Sequence, residues 1–89
     1  MPYIDKKGRD FWDPKIKDLI YEIKSVNPVE GDMNYMITNI ILAWVRINPH
    51  YARYNSAVGI LECVKQELYR REISEYENKK ISDNGDVYK

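Results

Sequence analysis

Apolar residues recur at helical spacing along almost the whole chain, and no segment sustains the alternation of a half-buried strand. That pattern confines the fold to the all-α class. It is interrupted at two Asn-Pro steps, Asn27-Pro28 and Asn48-Pro49, and at Gly31. The residue before a proline is driven out of the helical region, so each step ends a helix. Three main helices are predicted, over about residues 13–26, 32–47 and 50–81, forming a small bundle. Residues 1–81 are read as one helical domain and 82–89 as a loose tail.

In the first helix, Asp13 is the expected cap, with Pro14 at the first helical position where its missing N–H is harmless. Ile16, Leu19, Ile20 and Ile23 make its apolar stripe. Residues 3–12 are expected to form a short extra turn, with Phe11 and Trp12 as lids on the core. Asp32 is the expected cap of the second helix, whose inward face collects Met33, Met36, Ile37, Ile40, Ile41, Ala43, Trp44 and Ile47. Leu42 and Val45 fall among polar residues on its other side. The third helix turns Tyr54, Ala57, Val58, Ile60, Leu61, Val64, Leu68, Tyr69 and Tyr76 inward and Cys63 and Glu67 away. At 89 residues, one chain has too little material to cover two such faces, because a domain of this size buries only about 60–65 % of its unfolded surface. Homo-oligomerisation is the expected remedy.

Composition narrows function mainly by exclusion. Fourteen basic residues balance fourteen acidic ones, so no long-range field draws the chain to nucleic acid or an anionic membrane, and neither is an expected partner. The longest apolar run, Ile40 to Val45, is far short of a membrane span. Cys63 is the only cysteine and His50 the only histidine, which leaves no zinc set and no nucleophile–base pair. The lone cysteine and the absence of an apolar leader point to the cytoplasm. Glu72 and Glu75 have the spacing used by magnesium-dependent nucleotide pyrophosphohydrolases. The second helix, however, has no acid after Asp32, and Asp10 and Asp13 are placed ahead of the first helix, so the four-carboxylate cage is incomplete. No catalytic residue, metal ligand or cofactor is assigned.

Tyrosine is the residue out of proportion, with eight in the chain. Tyr51, Arg53, Tyr54 and Asn55 cluster at the entrance to the third helix. A phenol ring stacks on a base and an arginine fork meets phosphate, so these residues form a candidate nucleotide site. Their ordinary alternative is packing. Arg70 and Arg71 are the densest basic pair on the long helix, interleaved with glutamates as a solvated face would be. Asn34 and Thr38 offer hydrogen bonds from the second helix. The candidate ligand-binding set is therefore Asn34, Thr38, Tyr51, Arg53, Tyr54, Asn55, Arg70 and Arg71.

The strings PYID (2–5), GDMNYMIT (31–38), YARYN (51–55), LECVKQELYRR (61–71) and NGDVY (84–88) resemble a family of small helical proteins from bacteriophage and prokaryotic genomes with no established activity. The resemblance implies a genomic setting rather than a mechanism. Compact phage proteins often act by occupying a host protein or by soaking up a signalling molecule. The expectation is a non-enzymatic homo-oligomer that binds a small anionic, nucleotide-like ligand, sequestering an immune signal. The alternatives are a protein–protein adaptor acting through the apolar second helix and, third, the pyrophosphohydrolase.

Overall fold

A computed structural model describes residues 4–88, of which 86 % are helical in three helices without strands. The fold is all-α. The first helix, α1, spans Lys6–Val26, α2 spans Glu30–Ile47 and α3 spans Tyr51–Leu68. The last continues through a π-helical turn at Tyr69–Ile73 into α4, Ser74–Asn84. The chain divides into two compact units, one up to Ala57 and one from Val58 onward.

The first helix begins seven residues earlier than the predicted start at Asp13. Asp5 is its cap, the carboxylate accepting from the Gly8 amide at 2.9 Å, while the Arg9 amide donates to the Asp5 carbonyl at 3.0 Å. A Cβ on Gly8 would lie 3.2 Å from Ile4 Cδ1 and 3.3 Å from the capping carboxylate, so the closeness of the cap explains the glycine. Pro14 stands inside the helix, although a proline there removes a backbone donor and costs about 3 kcal/mol. Beside that gap the Lys15 ammonium donates to the Phe11 carbonyl at 3.1 Å. Asp10 and Asp13 thus lie within α1 rather than ahead of it. Of the extra turn expected over residues 3–12, Tyr3 is outside the described residues and Lys6 to Trp12 are regular helix.

At the first Asn-Pro step, Asn27 takes the left-handed conformation (φ 52°) and its amide donates to the Ile23 carbonyl at 2.9 Å. This is a common way to close a helix. The second helix starts two residues before the predicted one. Val29 occupies the cap position, and the Asp32 carboxylate reaches back to accept from the Val29 amide at 3.2 Å. Asp32 therefore serves the helix start from its third position. At the far end Gly85, with φ 86°, closes α4 by donating to the Ile81 carbonyl at 2.8 Å, so Ser82 to Asn84 of the expected tail are helical.

The core is small. Among the described residues only Val45 (8 % exposed) and Ala57 (7 %) are buried, and no large side chain is fully enclosed. Val45 had been placed on the polar side of α2, whereas Ile37, Ile40 and Ile47 from the expected inward face are exposed. Phe11 and Trp12, expected as lids, are exposed, as are Ile16, Leu19 and Ile20 of the α1 stripe. From Val58 onward the expected inward stripe is likewise exposed, while Cys63 and Glu67, expected to face away, are half-buried. Helical periodicity shows which side chains share a face; which face meets another element depends on tertiary placement.

Candidate functional site

At the corner where α2 turns into α3, the Arg53 guanidinium lies over the Trp44 ring, 4.0 Å from its centroid. Both side chains are half-buried. A guanidinium held over an aromatic ring keeps N–H donors that can meet a phosphate or carboxylate. Tyr51, at the first position of α3, is 79 % exposed, and Tyr54 and Asn55 are exposed on the next turn. Sequence had grouped Tyr51, Arg53, Tyr54 and Asn55 without Trp44. An arginine nine residues after a tryptophan, with a proline turn between them, was the available signal.

Asn34 and Thr38 come together higher on α2. Thr38 Oγ1 donates to Asn34 Oδ1 at 3.2 Å, and with Glu30, Gly31 and Tyr35 they line an open recess on one side of the helix. About 13 Å of helix separates Thr38 from Ile47, so this recess and the Arg53 corner are separate places. A second recess lies between the end of α1 and the start of α2. It is lined by Leu19, Ile23, Val26, Pro28 and Met36, with Glu22 and Asp32 also in its wall, and measures about 310 Å³.

Arg70 and Arg71 belong to the other unit and share one half-buried acceptor. Arg70 grips the Glu67 carboxylate with two N–H groups, at 3.3 and 3.0 Å, and Arg71 Nε donates to the same group at 3.3 Å. Glu67 is thus a common anchor that sequence had assigned to a solvated face. One turn on, the Tyr69 hydroxyl donates to both Glu77 carboxylate oxygens, at 3.2 and 3.0 Å. That carboxylate raises the Tyr69 phenol above its ordinary value, since hydrogen bonding favours the neutral phenol and the negative charge opposes ionisation. Glu62 shifts the other way, lowered first by the hydrogen bond from Gln66 at 2.9 Å and then by the nearby Lys65 ammonium.

Among the described residues, no group of three or more His, Cys, Asp and Glu side chains is arranged to hold a metal ion. No described helix is long and apolar enough to cross a membrane. The family model for a domain of unknown function, DUF6899, matches residues 1–87. The chain belongs to the DUF6899 family. No curated protein and no solved structure matches it.

Proposed function

We propose that the chain works without catalysis, as a homo-oligomeric helical interaction module whose apolar faces are covered by copies of itself. The observation that carries this reading is the exposure of Phe11, Trp12, Ile16, Leu19 and Ile20 on α1, and of Ile37, Ile40 and Ile47 on α2, against a buried core of two residues among those described. Half-covering eight such side chains is worth about 6–12 kcal/mol, comparable with the whole stability of a small domain. A chain that leaves this much unrealised gains by assembling. Native mass spectrometry of the protein purified from cells tests the reading: dimers or larger species support it, and monomer alone across the accessible concentration range refutes it.

The Arg53–Trp44 stack favours a second reading, in which the assembled protein also binds a small anionic, nucleotide-like ligand. Arg53 would meet a phosphate through its N–H groups, and the exposed ring of Tyr51 or Tyr54 would stack on a base. In a phage setting and the host cytoplasm, such a protein would sequester a defence signal. Titration calorimetry against nucleotides and cyclic nucleotides tests it. Heat with one member that vanishes in Arg53→Ala supports ligand capture, and silence across the panel removes it.

A further inference from the structure

The π-helical turn at Tyr69–Ile73 closes with the Ser74 amide donating to the Tyr69 carbonyl, five residues back instead of four. Such turns are rare inside α-helices because their hydrogen-bond geometry is unfavourable, and they often mark functional positions. The turn spends one residue more than an α turn. Everything beyond it is therefore rotated back by about one residue's share of the helix, roughly 100°.

Two pairs eight residues apart register this rotation. In a plain α-helix, residues eight apart are offset by about 80°, too far round for Tyr69 to meet Glu77. With the extra residue the offset shrinks to about 20°, and the Tyr69 hydroxyl spans the turn to both Glu77 oxygens at 3.2 and 3.0 Å. The same correction brings Tyr76 into line with Leu68, behind Leu61 and Val64. All four side chains are exposed. The Glu67 bonds to Arg70 and Arg71 span three and four residues, spacings that a plain helix also brings together, so they do not select the π turn.

We infer that the C-terminal helix is a two-register element, in which the Tyr69–Glu77 hydrogen bond holds the π turn and thereby keeps Tyr76 on the Leu61–Val64–Leu68 stripe. Without that bond, the ordinary α register prevails and Tyr76 swings away from the stripe.

The test uses the full chain and reads the register of the turn. Scalar couplings across backbone hydrogen bonds identify the acceptor of the Ser74 amide by NMR. The expected acceptor is Tyr69 in the natural chain and Arg70 in Glu77→Ala, a change that installs the best helix former on an exposed surface; Tyr69→Phe should match it. An α-type bond in the natural chain, or an unchanged π bond in both variants, overturns the inference.

Discussion

The two units hold their residues in different ways. Up to Ala57 the exposed surface is rich in large apolar side chains, with Trp12, Ile16, Leu19 and Ile20 on one side of α1 and little polar bonding among them. From Val58 onward, apolar side chains share the helix with a polar network: Gln66 and Lys65 on Glu62, Arg70 and Arg71 on Glu67, and Tyr69 on Glu77. Exposed ion pairs contribute only about 0–1 kcal/mol each, so that network sets geometry more than stability. Covered apolar surface is what would stabilise the first unit. The contrast is between a unit with extensive exposed apolar surface and one whose polar bonds tie neighbouring turns of a helix together.

The largest effect expected from that contrast is at α1. Ile16→Asp places a charge where a partner's apolar surface should lie, and burying an unpaired carboxylate is costly. Self-association measured by sedimentation equilibrium should weaken about 100-fold or more, while the Tyr69–Glu77 bond persists. Unchanged association would move the interface off α1. Next comes Asp5→Ala, which removes the α1 cap and should cost about 1 kcal/mol, read as a melting temperature lower by roughly 4–8 °C.

Gly59→Ala should act in the opposite direction. A Cβ there meets nothing within 4 Å, and alanine is favoured over glycine inside a helix by up to about 1 kcal/mol. A raised melting temperature fits an open position; a lowered one would place another chain's backbone against it.

The titrations are smaller. Because the Tyr69 phenol is raised in the fold, the stability it contributes is complete below the ordinary tyrosine range and is lost as pH rises through the folded value. Phenolate absorbance should show one tyrosine titrating late, and Glu77→Ala should bring it back. Glu62, being lowered, contributes above the ordinary carboxylate range and loses that contribution as pH falls through its folded value. Gln66→Ala should return its carboxyl NMR titration towards the ordinary value.

The legible parts of the fold were those fixed by local chemistry. Asn27-Pro28 and Asn48-Pro49 ended helices as expected because a proline constrains the residue before it, whatever lies elsewhere. The start of α1 was misread because Pro14 fits a first helical position so well; the Asp5 cap on Gly8 begins the helix earlier and the proline is tolerated within. Val45 was misplaced since a helical wheel groups side chains without choosing which group meets a neighbour. Of the candidate ligand residues, Asn34 with Thr38 and Arg53 with Tyr51 were grouped by closeness in sequence. Trp44 beneath Arg53 and Glu77 beside Tyr69 needed the fold, one through a turn between helices and the other through an extra residue in a helical turn.

The central claim is that the α1 and α2 apolar faces are covered by other copies of the chain. Sedimentation equilibrium on the full chain, from low micromolar to near millimolar concentration, tests it most directly. The predicted result is a mass that climbs from one chain to a defined multiple, with a melting temperature that rises alongside it. A single-chain mass throughout, with a melting temperature independent of concentration, would contradict the claim.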